Sequence, residues 1–369
     1  MNVYLDNAAT TPVLPEVVQA MQLFFTKHYG NPSSPHTLGE EAEKEMQNAR
    51  TVLARTIGAK PEEIVFTSGG TEANNLAVLG LAAAKKDKKK IVVSAIEHSS
   101  VWEPAMSLKE RGYDVVVVPV TAEGIVEYAA LERAIDEKTL LVSVMHVNNE
   151  IGTIQDIRAI GELCRKRGAH FHTDAVQSFG KLLIDVRKNN IDLLTASAHK
   201  LGGPKGIGFL YLRSGIKVQP RLIGGGQERG IRAGTENVAG IIGFAVAVEK
   251  EKNVSNTAVK KSRDELLLEL EKLGGVLNGA REEIIQTHCN VAFPSFDAEL
   301  LVQKLSQRGV YCSTRSACLS KQQKENRVLQ ALGLPRQRQE SSIRLSLHKP
   351  LTNAELRKVI RAFREALRK

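Results

Sequence analysis

The chain has 369 residues, enough for a large buried core and about two domains. Apolar residues make up 42% and charged residues 25%, the balance of a soluble globular enzyme, which excludes a disordered, collagenous or repeat-only chain. Fifty-one basic against forty-one acidic residues leave +10. The excess is scattered and no RNA-binding signature accompanies it, so direct nucleic-acid binding is not expected.

Four cysteines, Cys164, Cys289, Cys312 and Cys318, are too few for a disulfide scaffold and point to a reducing, cytoplasmic setting. The opening Met-Asn-Val-Tyr-Leu-Asp has no basic stretch followed by an apolar core, so no signal peptide is expected. The longest apolar run, 238–248, is too short for a bilayer and predicts a buried helix.

In chain order, short β-rich runs alternate with helical composition from about residue 60 to 213. Strands are predicted over 63–67, 91–95, 115–118, 139–145, 170–173, 191–195 and 208–212, with helices over 71–85 and 101–111. Continuous apolar strands separated by helices imply a mixed, mostly parallel sheet covered on both faces. Ligands on such sheets bind beyond the carboxyl ends of the strands. After about residue 250 charged helices (262–272, 297–308, 353–368) surround short strands (284–293, 310–313, 342–347), the texture of a smaller α+β domain. The expected division is an N-terminal segment over 1–14, a large domain over 15–250 and a small domain over 251–369. The last helix places Leu356, Val359, Ile360, Phe363 and Leu367 on one stripe, with Arg357, Lys358, Arg361, Arg364 and Arg368 away from it.

Several strand ends carry residues with chemistry. Lys200 follows a predicted strand inside a glycine-rich loop, where a lysine can form a Schiff base with a carbonyl cofactor or can be an ordinary surface residue. Asp174 ends another strand. It can serve as the acid at a pyridinium nitrogen, with Gln177 reaching a ring hydroxyl, or as a helix N-cap. Ser68-Gly69-Gly70-Thr71-Glu72 lies between strand and helix, where free N–H groups favour a phosphate. The segment 224–235 is a second glycine-rich, cationic stretch. His98 can stack on a flat ring and shuttle protons, or be a satisfied structural histidine. Asn148-Asn149-Glu150 either contacts a cofactor hydroxyl or forms a turn.

Taken in order, these motifs resemble the cysteine desulfurases of the NifS/IscS-like group, within the fold-type I (aspartate aminotransferase-like), class V pyridoxal-phosphate enzymes. The resembling segments run from Tyr4-Leu5-Asp6-Asn7-Ala8-Ala9-Thr10-Thr11 to Ser341-Ser342-Ile343-Arg344-Leu345-Ser346-Leu347. The resemblance implies pyridoxal 5'-phosphate as cofactor and L-cysteine as substrate. Lys200 would carry the cofactor, Asp174 would pair with the pyridine nitrogen and Gln177 with the phenolic oxygen. His98 would stack on the ring and relay protons, and Asn149 would stand near the ring hydroxyl and the substrate carboxylate. Gly70, Thr71, Ser197 and His199 would hold the phosphate. Thr235 would reach the phosphate of the neighbouring subunit, which implies a homodimer. Arg344 would clamp the substrate carboxylate, as a guanidinium fork suits.

Ser316-Ala317-Cys318 lies in a polar stretch that resembles the family's loop carrying the nucleophilic cysteine. The implied product is L-alanine, with a persulfide on Cys318 for transfer to an Fe–S scaffold protein or a tRNA-thiolation enzyme. Arg315, near the thiol, could favour a thiolate. Cys164 and Cys289 read as small buried hydrophobes, and Cys312 as structural. Arg315 stands where the family usually has glycine, Leu319 where a small polar residue is common, and His348-Lys349 where Gly-Arg is usual. A selenocysteine lyase of the same fold is one alternative reading, and Arg315 and Leu319 motivate another, a low-activity sulfur-relay partner of the same fold.

Overall fold

The computed structural model describes residues 2–85, 87–252, 254–314 and 326–368. The chain opens with β1 (Val3–Tyr4), α1 (Pro15–Thr26) and α2 (Thr37–Thr56). Pro15 suits the first turn of α1, where its missing N–H is not needed. The His36 side chain caps α2 by accepting from the Gly39 N–H.

The strands β2 (Ile64–Thr67), β3 (Lys90–Ser94), β4 (Asp114–Val118), β5 (Thr139–Ser143), β6 (His170–Asp174), β7 (Leu193–Ser197) and β8 (Gly208–Leu212) form a seven-stranded sheet. Its order is β2-β8-β7-β6-β5-β3-β4. From β4 to β7 neighbouring strands are parallel, whereas β8 runs antiparallel to both β7 and β2. The reversal at β8 has a local cause. The glycine-rich connection after Ser197 makes a single 3-10 turn at Ala198–Lys200, and a parallel return needs a longer crossover. Between the other strands lie α3 (Gly70–Asn75), which continues through a π turn at Leu76–Gly80 into α4 (Leu81–Ala84), then α5 (Ser99–Glu110), α6 (Tyr128–Ala134) and α7 (Ile157–Arg167).

Adjacent strand residues serve opposite faces. Ile64, Phe66 and Val92 join a cluster with Met46 and Leu53 of α2, while Val65, Ile91 and Val93 join one with Ala73 and Leu81. Both faces are dry, which is why these strands are continuously apolar instead of alternating. The expected buried helix is α8 (Val238–Glu251), packed on α1 and α2. Its Phe244 meets Phe179 and Phe209 at ring centroid separations of 5.6 Å. Among the described residues no helix is long and apolar enough to cross a membrane.

The remainder holds α9 (Asn256–Lys272), β9 (Val276–Asn278), β10 (His288–Ala292), α10 (Ala298–Gln307), β11 (Val310–Tyr311), α11 (Arg327–Ala331), α12 (Arg336–Glu340), β12 (Ser342–Ser346) and α13 (Asn353–Ala366). An antiparallel sheet β12-β10-β9 carries a separate core that includes Val291, Leu305, Ile343, Val359 and Phe363. The predicted stripe of α13 faces that core. Val3 and Leu5 belong to it too, because β1 pairs in parallel with β11, whereas Val13 and Leu14 pack on the large sheet's core. The strand predicted over 284–293 is shorter, since Ile284 bridges to Thr153 and β10 begins at His288.

Candidate active site

The parallel strands end on one edge, and the residues that follow them meet there. Gly70 and Thr71 follow β2, His98 follows β3, Asn149 follows β5, and Asp174 with Gln177 ends β6. Ser197, His199 and Lys200 follow β7. All line one cavity, where several polar groups converge as in a ligand site. Arg344 enters the same cavity from β12, and Ala8 and Ala9 enter from the N-terminal segment. Of the candidate residues, Thr235 is exposed and does not line this cavity. Cys318, with Arg315 and Leu319, lies outside the described residues.

Each side chain is held by specific partners. Lys200 Nζ donates to the carbonyls of Ala8 (2.6 Å) and Ala9 (2.7 Å). Asp174 accepts the Val176 N–H at Oδ1 (2.9 Å) and Asn74 Nδ2 at Oδ2 (2.8 Å). Gln177 Nε2 donates to the Ala8 carbonyl (3.0 Å), while its buried Oε1 has no partner among the described residues. At Gly70 a Cβ would lie 2.9 Å from Val176 Cγ2. A side chain there would crowd the floor of the cradle at the start of α3. His199 Nδ1 lies 3.2 Å from Thr10 Oγ1. Burial, with Lys200, Lys205 and Lys181 nearby, pushes its pKa down to about 3, so the ring is neutral and can donate one N–H.

His98 is the N-cap of α5, its Nδ1 accepting the Ser100 N–H at 3.1 Å. Burial lowers its pKa, Asp174 opposes the shift, and Lys200 and Arg327 add to it. Glu97 beside it is fully buried. Its Oε1 accepts from Ser94 Oγ (2.5 Å) and from the Met145 N–H (2.8 Å), and Oε2 has no partner among the described residues. Burial pushes this carboxyl up to about 8, with the Asp174 charge acting the same way.

Three residues at the site, Asn74, Asp6 and Arg327, escaped the sequence reading. Asn74 sits one turn after Gly70 and bonds both Asp174 and Ser100 Oγ. Asp6 pairs with Arg344. Arg327 stacks on Trp102, with its guanidinium carbon 4.1 Å from the ring centroid, and donates to the Ala95 and Glu97 carbonyls. The i, i+4 spacing of Gly70 and Asn74 on one helical face was a usable signal for Asn74. Nothing in the sequence brings Asp6 to Arg344.

This donor set fits pyridoxal 5'-phosphate. A carboxylate and an amine share one cavity, a glycine cradle opens a helical run, and buried oxygens of Gln177 and Asn74 have no partner among the described residues. The family model for Aminotransferase class-V matches residues 3–359. The chain belongs to the class V aminotransferase family, among its cysteine desulfurases. It is 44% identical to cysteine desulfurase IscS of Methanosarcina thermophila, over all of this chain and 92% of that protein. It is 42% identical to cysteine desulfurase IscS of Dictyoglomus turgidum, over 96% and 91%. A solved NifS-like protein superposes with a TM-score of 0.94 at 38% identity, over 100% of this chain and 99% of the other. A structure titled SspA in complex with cysteine gives a TM-score of 0.85 at 36% identity, over 95% and 100%. The chain is accordingly a pyridoxal-phosphate-dependent enzyme of the fold-type I class.

Proposed function

We propose that this enzyme converts L-cysteine to L-alanine and retains the sulfur on Cys318 as a persulfide. The observation that carries the reading is the convergence of Lys200, Asp174 and Arg344 on one cavity. That set can hold a pyridine ring, an amino group and a carboxylate together. When bound, pyridoxal phosphate supplies an electron sink for charge developing on the substrate carbons. Asp174 and Gln177 would hold its ring, and His98 its face. Gly70, Thr71, Ser197 and His199, with Thr235 of the partner subunit, would hold its phosphate.

Arg344 binds the substrate carboxylate, with Asn149 beside it. Lys200 or His98 moves the proton at the substrate α-carbon. The Cys318 thiolate attacks the substrate sulfur, so the S–S bond forms as the carbon–sulfur bond breaks, and protonation of the carbon gives alanine. Atoms balance with no external oxidant, since one thiol and one cysteine give one persulfide and one alanine. The other cysteines support this choice. Cys164, Cys289 and Cys312 are buried, and burial pushes each up to about 12, which suppresses the thiolate.

The enzyme works as a homodimer in the cytoplasm, where a reactive thiol persists. It passes its sulfur to an acceptor protein, an Fe–S scaffold or a tRNA-thiolation enzyme. Alanine formation from L-cysteine with a thiol reductant tests the reading. Wild type forms alanine, and Cys318→Ala loses it while keeping the cofactor absorbance. No alanine from a wild type with normal absorbance overturns it.

A further inference from the structure

His98 and Asp174 are joined by a hydrogen-bond chain whose direction is set at both ends. Asn74 Nδ2 donates to Asp174 Oδ2 (2.8 Å) and to Ser100 Oγ (2.7 Å), which uses both its hydrogens. Ser100 Oγ is therefore an acceptor toward Asn74, and its own hydrogen is directed to His98 Nδ1 at 2.7 Å. From the other side the Ser100 backbone N–H, one of the free amides at the start of α5, reaches the same Nδ1 at 3.1 Å. Two donors converge on Nδ1, so Nδ1 carries the lone pair and the ring hydrogen sits on Nε2.

We propose that Ser100 and Asn74 are positioning residues that lock His98 as the neutral Nε2–H tautomer, so that the ring presents a fixed N–H donor. The proposal concerns the resting enzyme and goes beyond the desulfurase reading. A base needs a free lone pair. That of His98 points at Ser100, and its other nitrogen is already protonated. Charging the ring would set an Nδ1–H against the Ser100 amide, which has no alternative acceptor within its helix.

The charges around the ring agree with this. Asp174 on β6 favours an imidazolium, whereas burial, Lys200 after β7 and Arg327 on α11 oppose it. The neighbouring Glu97 carboxyl holds its proton up to about pH 8 and offers no compensating charge at neutral pH.

Histidine-selective 15N NMR of the holoenzyme tests the tautomer, with His98→Gln assigning the resonance. The expected spectrum shows His98 as the Nε2–H form at neutral pH, with its midpoint below the ordinary histidine value. In Ser100→Ala the midpoint rises by roughly half to one pH unit, since one donor to the lone pair is lost. Ser100→Thr, which keeps the hydroxyl, restores it. An Nδ1–H form or an imidazolium at neutral pH in the wild type overturns the proposal, and so does an unchanged midpoint in Ser100→Ala.

The readout needs no sulfur transfer, so failure of the desulfurase reading is distinguishable from failure of this proposal.

Discussion

Arg344 Nη2 donates to Asp6 Oδ1 at 2.8 Å, joining β12 to the N-terminal segment. Nη1 donates to the Asn149 carbonyl at 3.0 Å, and Nε has no partner among the described residues. Arg344 is 1% exposed. Its guanidinium is thus paired with Asp6 and held at two nitrogens before any substrate arrives. Arg344→Lys keeps the charge and loses the fork. Losing a charged hydrogen bond of about 1.5–3 kcal/mol should raise KM for L-cysteine at least tenfold, with a smaller change in kcat. Asp6→Ala leaves the guanidinium buried without its partner and should destabilise the fold by about 3–5 kcal/mol, read by thermal or urea denaturation.

The buried Glu97 makes stability fall with rising pH. Its pKa is pushed up to about 8 in the folded chain, whereas an unfolded glutamate titrates near its ordinary value of about 4.3. Between those values the folded state binds the extra proton, so each step up in pH costs stability until about pH 8. Glu97→Gln keeps a neutral hydrogen-bonding group and removes the dependence. Urea unfolding should show the variant gaining on wild type as pH rises from about 6 to 8. A constant gap between the two would show that Glu97 is ionised throughout.

Acidification acts through histidines instead. Burial holds His146, His172 and His348 down to about 4 and His199 to about 3. Unfolded, each takes up its proton near pH 6.5. Stability present above about 6.5 is therefore lost progressively as pH falls toward 4, because only the unfolded state binds these protons. The two effects together predict maximal stability near neutrality, measurable as Tm against pH.

Alkylation separates the cysteines. With thiols pushed up to about 12, Cys164, Cys289 and Cys312 should resist iodoacetamide in the folded enzyme. Mass spectrometry should find one fast adduct, on Cys318, with loss of alanine formation in step. Fast modification of a buried cysteine instead would contradict the burial described above.

Arg50 and Glu228 form a fully paired buried couple, with contacts of 2.9 Å and 2.8 Å, and Glu228 Oε2 also accepts the Phe66 N–H at 2.9 Å. The pair pins a turn in which Glu228 (φ 44) and Arg229 (φ 59) are left-handed. Such a conformation persists only where surroundings over-determine it. Glu228→Ala should cost about 3–5 kcal/mol in urea unfolding, since Arg50 is left buried and unpaired.

Much of the architecture was legible in local pattern. The apolar β3 and β5 and the stripe of α13 follow from burial, which selects apolar residues at the periods of strand and helix; the valines of β4, an edge strand on which Val117 is exposed, follow from the preference of β-branched residues for a pleated strand. That the candidate residues meet in one cavity was legible for a related reason. Gly70, His98, Asn149, Asp174 and Lys200 each follow a strand end, and parallel strands must bring their carboxyl ends to one edge. The antiparallel β8 needed only the length of a loop. The contacts between distant segments carry no such local trace. Asp6 reaches Arg344, Asn74 reaches Asp174, and Arg327 reaches Trp102 only because two sheets, an N-terminal strand and a helix are packed together. Composition and periodicity report whether a residue is buried. Which polar group a buried polar group meets, and therefore its tautomer, charge and pKa, depends on the angles at which whole elements pack, and the tertiary structure alone decides that.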